Sequence, residues 1–398
     1  MFSSFKVRNY RIYWVGTFVS LIGTWVQSVA QSWLVFKLTN SAFLLGFVGF
    51  LNTLPMFLFS LFGGVFADRV NKRIVLLYTQ SVFMILAFAL AVLTQLQIIQ
   101  TWHIMLMAVL NGIVMAFDAP SRQSMVVELV GKEHLLNAIA WNSAAFNSAR
   151  IIGPALAGIL MAVIGMSGCF YLNGASFFAV IISLIVIRNI RQPSKSDKTF
   201  LLHDIIDGLR FMKHNRVIVV LISIVGIMSF FGLSYVILMP VFAERVLHTD
   251  VSGFAALMSA AGFGALAAAL MLARLGDFRR KGKLLIASCG IVSIALIVFA
   301  LSKTFVLSLG CLVLVGWGSV MSVSIINTLL QTIVPDQYRG RVMSGFMITF
   351  AGVLPFGNLA SGALAHTCGV SSAIVLSAVT CGISIMIVSW LFPQVRNL

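Results

Sequence analysis

A chain of 398 residues that is 60% hydrophobic and only 10% charged, with a mean hydropathy of +1.03, is too apolar for a soluble domain, whose apolar share sits near half. A net charge of +16 would suit a nucleic-acid binder in a soluble protein. In a chain this apolar the sign follows membrane topology instead, so the partner implied is the bilayer and not nucleic acid.

Twelve apolar runs long enough for a bilayer core of ~30 Å follow one another, at 12–36, 42–66, 74–94, 102–120, 136–162, 169–187, 217–242, 253–273, 284–302, 304–334, 342–365 and 370–392. They lack the period-two alternation of a transmembrane β-barrel. The first contains Ser28-Val29-Ala30, a small-x-small cleavage pattern, but the apolar stretch continues to Phe36 and reads as an uncleaved helix. With that helix running outward, all of the 27 Lys and Arg except Lys37, Arg150, Arg245 and Lys303 fall on the cytoplasmic side. Such a bias puts both termini in the cytoplasm.

Between the second and third runs lies Gly63-Gly64-Val65-Phe66-Ala67-Asp68-Arg69-Val70-Asn71-Lys72-Arg73, a dense cluster in a charge-poor chain. Arg69, Lys72 and Arg73 suit a positive-inside loop. Asp68 does not, because acids contribute little to orientation. A carboxylate at the end of one helix can instead accept from the exposed N–H groups that start another. Arg122, ending the fourth run, is a candidate cation partner.

Within the runs, polar residues recur at helical spacing: Thr24, Gln27 and Gln31 in the first, Asn111, Met115 and Asp118 in the fourth, Ser324, Asn327 and Gln331 in the tenth. In the fifth, Ser143, Asn147, Arg150 and Pro154 share a face. A permanent cation inside a span costs at least ~2.5–3.5 kcal/mol unless it is paired or hydrated, so Arg150 is a functional candidate. With a turn at Gly131, Asp118 and Arg150 differ in depth by about 9 Å at ~1.5 Å per residue. That leaves a direct pair marginal and a water or substrate anion as the bridge. Interhelical hydrogen bonding, at ~0.6 kcal/mol on average, is the competing role for all these groups.

The stretch 188–216 divides six runs from six, and Leu201, Ile205, Leu209 and Met212 give it an amphipathic face. The halves resemble each other. Leu275-Gly276-Asp277-Phe278-Arg279-Arg280-Lys281 repeats the acid-then-base loop, Asn327 and Pro335 mirror Asn111 and Pro120, and Pro355 mirrors Pro154. Such order indicates a duplicated six-helix unit. The domains read as 1–188, a linker at 189–216, and 217–398. Five scattered cysteines, no metal-type His or Cys spacing and no phosphate-binding loop argue against a metal, a cofactor, an enzyme or an ATP-driven pump.

The 63–73 stretch resembles the G-x-x-x-D-R-x-x-[KR]-[RK] signature of the major facilitator superfamily. The stretches 111–130, 146–160, 173–181 and 334–365 are similar to its branch of enterobactin exporters and macrolide efflux pumps. The resemblance implies an all-α integral membrane fold of twelve helices in two pseudo-symmetric six-helix bundles. It implies a monomeric multi-pass transporter of the bacterial inner membrane that exports an amphipathic small molecule in exchange for protons. An uncoupled facilitator or lipid flippase on the same fold is the alternative, and a scaffold or receptor a more distant one.

The resemblance also implies that Asp68 meets the start of the eleventh helix near Arg341 when the cytoplasmic side closes, with Asp277 doing the same at the fifth. It places helices one, four, seven and ten around the cavity, adding Ser229, Phe230, Ser234 and Tyr235, and it assigns Gly153, Pro154 and Gly158 to a bent, closely packed fifth-helix motif. One departure is that Ala108 stands where superfamily members often carry an arginine linked to proton coupling.

Overall fold

The computed structural model describes residues 3–187, 211–276, 278 and 280–397, apart from the side chains of Leu61, Val65, Ala67, Asp68, Lys132, Asp336, Gln337 and Asn397. Asp277, Arg279, the Asp68 side chain and most of the linker therefore lie outside the described residues. The rest is helical, with no strand among the described residues. The long helices are α1 (Arg8–Thr39), α2 (Ala42–Arg69), α3 (Lys72–Gln95), α4 (101–130), α5 (132–164), α6 (166–186), α7 (Arg216–Arg245), α8 (Val251–Leu275), α9 (Lys281–Leu301), α10 (Phe305–Ile333), α11 (Asp336–Cys368) and α12 (Val370–Leu391).

Among the described residues eleven stretches have the length and apolarity to cross a membrane, and one of these, Glu133–Val186, is 54 residues long. It turns at Gly165, where φ is 70°, just as α4 gives way to α5 at Gly131 with φ 68°. Both turns need the left-handed backbone that glycine adopts without penalty. Local chemistry sets other boundaries. The Asn71 side chain caps α3 by accepting from the Arg73 N–H at 3.0 Å, and Asn215 caps α7 by accepting from Ile218.

The chain forms two compact units. The first comprises Met1–Asn40, Leu51–Asp197 and Val251–Ser259, and the second Ser41–Phe50, Lys198–Asp250 and Ala260–Leu398. The opening turns of α2 thus belong with the second unit, where a Cβ on Gly46 would lie 2.5 Å from the Asn358 carbonyl oxygen. The opening turns of α8 belong with the first, where Ser259 donates to the Ile151 carbonyl at 3.3 Å and Phe254 stacks on Trp33 at 5.8 Å.

Each unit contains very close helix crossings. In the first, a Cβ on Gly63 would sit 2.0 Å from Ala116 O and one on Gly112 2.3 Å from Asn52 O, so α2 and α4 touch backbone to backbone. In the second, Gly264 and Gly316 do the same against Val313 O and Ala261 O, both at 1.9 Å, for α8 and α10. Apolar side chains gain little by associating in lipid, so close approach of this kind supplies the van der Waals energy that holds helices together.

Helix α7 is interrupted. It runs as α-helix through Arg216–Ile227, widens to a π turn at Met228–Gly232, tightens to 3-10 at Ser234–Leu238 and resumes at Met239–Arg245. Irregular backbone at membrane depth survives only where its polar groups are satisfied. Here Ser234 donates to the Phe230 carbonyl and Ser229 donates to the α11 carbonyl of Phe350 at 2.6 Å.

Gly316→Ala should lower the melting temperature of the purified protein by several degrees, because the obstructing atom is backbone. Gly290→Ala, with nothing within 4 Å, should leave it unchanged or raise it slightly.

Candidate functional site

In the first unit α3 and α4 run antiparallel, and their polar side chains meet in two places. Lys72 at the start of α3 pairs with Glu128 near the end of α4 at 3.0 Å, with side chains 6% and 11% exposed. Further in, Asp118 accepts from the Thr79 hydroxyl at 2.7 Å and the Gln80 amide at 2.6 Å, and its other oxygen accepts from the Arg122 guanidinium one helical turn away. Tyr13 of α1 borders this group. Asp118 is 1% exposed and Gln80 fully buried. Both carboxyl oxygens of Asp118 are thus engaged, one by two donors from α3 and the other by the Arg122 guanidinium.

The basic loop is also bound into this unit. Arg73 donates to the Ile185 carbonyl at 2.9 Å, at the C-terminal end of α6, where a cation interacts favourably with the helix dipole. Arg69 ends α2 and is exposed. The Lys72 partner went unforeseen. Lys72 to Gln80 spans eight residues and Glu128 to Asp118 ten, a mismatch of about 3 Å at ~1.5 Å per residue that the long Lys72 and Glu128 side chains take up, so spacing alone does not pick out the pair.

A second polar region lies on α1 and α5. Thr24 is exposed and donates to its own helix at Ser20 O. Gln27 accepts from Asn173 of α6 at 2.7 Å, and Gln31 is half-buried. On α5, Asn147 donates to Ser143 O, and Arg150 is half-buried and in contact with a partner. The Phe146 ring lies 6.0 Å from that of Trp25, and a Cβ on Gly153 would meet the Trp25 Cβ at 2.3 Å. Arg150, between those two α5 positions, is therefore level with the α1 polar stripe. Buried Pro154 follows, and Gly158 packs on Ser252 and Ala255. On α4, Met115 is 39% exposed while Asn111 donates to Asn52 of α2 at 2.8 Å.

In the second unit, Tyr235 is 5% exposed beside the interruption of α7. Gln331 donates to Asn327, and Thr328 to Ser324 O. Thr328, Gln331 and Thr332 form an exposed stripe on the last turns of α10. A single bond leaves most of an amide's donors and acceptors to be met by water. Arg341 lies over the Tyr338 ring at 5.7 Å, and Tyr338 stacks on Phe211 at 4.1 Å, which fastens the end of the linker to α11. Pro355 is buried in α11. Among the described residues no group of three or more His, Cys, Asp or Glu is placed to hold a metal ion.

A helical chain with long apolar spans and polar faces inside those spans is a multi-pass membrane protein. The fold is shared with a bacterial homolog to the human lysosomal transporter Spinster, at a TM-score of 0.76, 14% identity and 97% coverage of each chain. The nucleoside transporter NupG superposes at 0.72, with 14% identity, over 97% of this chain and 99% of that one.

Residues 1–396 match the family described as transmembrane secretion effector, and the chain belongs to that family. It is 25% identical to the staphyloferrin A transporter of Staphylococcus aureus over 90% of both chains. It is 24% identical to the multidrug efflux pump Tap of Mycolicibacterium fortuitum, covering 94% of this chain and 93% of that one. With macrolide efflux protein A of Streptococcus pyogenes it shares 23% over 100% of this chain and 98% of that one.

Asp118→Ala strands the Arg122 guanidinium, whose side chain is 23% exposed. The cost should be about 2–3 kcal/mol, below the ~3–5 of a fully buried pair. Replacing both residues by Leu should recover part of the loss, measured by thermal unfolding in detergent.

Proposed function

We propose that the protein is an exporter of an amphipathic small molecule of siderophore or drug type, working by alternating access as a monomer in the bacterial inner membrane, with both termini cytoplasmic. The observation that carries this reading is full-length similarity to transporters named for a siderophore, for multiple drugs and for macrolides. Arg150 on the polar face of α5 favours a substrate with an anionic or strongly polar head, because a cation in a span is best stabilised by a counter-charge or water. Exchange against protons is the coupling proposed.

Asp68 and Asp277 are proposed to bias the balance of states by contacting helix N-termini in only one of them, a difference on the order of 1–3 kcal/mol. Arg69, Lys72, Arg73, Arg122 and Arg341 supply the surrounding positive charge.

In inverted vesicles supplied externally with a siderophore or macrolide panel, Arg150→Ala should reduce uptake of anionic substrates about tenfold, equivalent to ~1.4 kcal/mol, and unchanged transport would reduce Arg150 to a packing role. Collapsing the pH gradient should abolish accumulation; persistence would favour an uncoupled facilitator. Asp68→Asn should shift cysteine accessibility from one membrane face to the other, and an unaltered distribution removes the latch.

A further inference from the structure

The stretch ahead of α1 is clasped onto α5. Ser4 is fully buried and donates twice to the Asn137 side-chain oxygen, from its backbone N–H at 3.0 Å and from its hydroxyl at 2.7 Å. Phe5 packs edge-on against the rings of Tyr10, Trp14 and Trp141, with centroids 5.7, 5.2 and 5.0 Å away. Tyr10 donates to Ala138 O at 3.0 Å and Trp14 to Trp141 O at 3.1 Å, both on α5.

The other side of the same segment carries charge. Lys6, Arg8 and Arg11 are all exposed. Among the described residues none of the three forms an ion pair, whereas Lys72 and Arg122 have carboxylate partners within the protein. Arg8 and Arg11 continue, at three- and four-residue spacing, a stripe formed by exposed Val15 and Val19. One flank of that stripe meets α6, where a Cβ on Gly16 would be 2.6 Å from Ala179 O, and the other meets α5 through Trp14. Buried Tyr13 and the polar Thr24 lie on the opposite face of the helix.

An exposed apolar face on a bilayer-spanning helix is a lipid face. Arg11 and Arg8 therefore stand one and two turns beyond it, about 6 and 10 Å from Val15 along the axis at ~1.5 Å per residue. Tyr10 and Trp14 at the same level are the residue types of a membrane interface.

We propose that Lys6, Arg8 and Arg11 form a binding surface for the headgroup phosphate of an anionic phospholipid, held ready by the clasp of Ser4 and Phe5 on α5. The occupant has to be amphipathic, because the charged positions run directly into an apolar stripe. Acyl chains lie along Val15 and Val19 while the two guanidinium groups meet the phosphate, whose geometry they match as paired donors. A zwitterionic lipid suits the surface less well, since its own cation offsets the attraction. This surface is separate from the polar stripe of α1 and independent of what the protein carries.

Native mass spectrometry of the full-length protein, titrated with phosphatidylglycerol or phosphatidylcholine, tests the proposal. The double substitution Arg8→Gln and Arg11→Gln should weaken retention of the tightest phosphatidylglycerol about twentyfold, since each cation near a membrane surface contributes about fivefold. Lys213→Gln with Lys283→Gln is the control. It removes equal charge from two other exposed positions, assigned to the cytoplasmic side by the same charge bias. An equal loss in the control pair would reduce the three cations to bulk positive charge and overturn the proposal. An equal loss of phosphatidylcholine from the Arg8 and Arg11 variant also overturns it.

Phe5→Ala keeps every charge and loosens the clasp, so it should weaken phosphatidylglycerol about threefold or more through lost preorganisation; unchanged affinity refutes a preorganised surface. Excess inorganic phosphate should leave the lipid bound, and displacement by it would make this a site for free anions instead.

Discussion

The structure of the first unit depends on one constraint, which is that a carboxyl group buried inside a bilayer-spanning bundle must have each of its oxygens engaged. Asp118 meets it with Thr79, Gln80 and Arg122. Because two of those partners are on α3, the condition fixes how α3 and α4 slide along each other, and the Lys72–Glu128 pair then falls into place at their shared end. Hydrophobic contacts alone would not set that register, since lipid tails are as apolar as the side chains they would replace. Leu76, Met125 and Val126 fill the core around it.

The charged loop between α2 and α3 consequently has two physical roles. As a group its cations satisfy the positive-inside bias. Individual residues of the loop are also structural: Asn71 caps α3, Lys72 pairs with Glu128, and Arg73 closes the end of α6. Basic residues that tie one helix to another cannot be moved to an arbitrary loop position. That accounts for the crowding of scarce charges into a few residues.

The two halves share one construction and differ in another. Backbone-to-backbone crossings at glycines join α2 with α4 and α8 with α10. Helix α1 is continuous over 32 residues, whereas its counterpart α7 passes through π and 3-10 turns held by two serine hydroxyls. The interruption falls at a helix bearing polar groups, the kind of position where transporters commonly interrupt their helices.

The sequence by itself determined the helical class, the apolar runs and the charged loop, because span length and hydropathy are local properties that need no partner. It also carried the turns at Gly131 and near Gly165, and the polar stripes at three- and four-residue spacing. Only the tertiary structure decided what those stripes touch. Gln27 proved bonded to Asn173, Asn111 to Asn52 and Asp118 to α3, pairings that depend on helix rotation and register across tens of residues. Periodicity gives the face of a helix but not its neighbour, and an amide that meets another helix is indistinguishable in sequence from one that meets water.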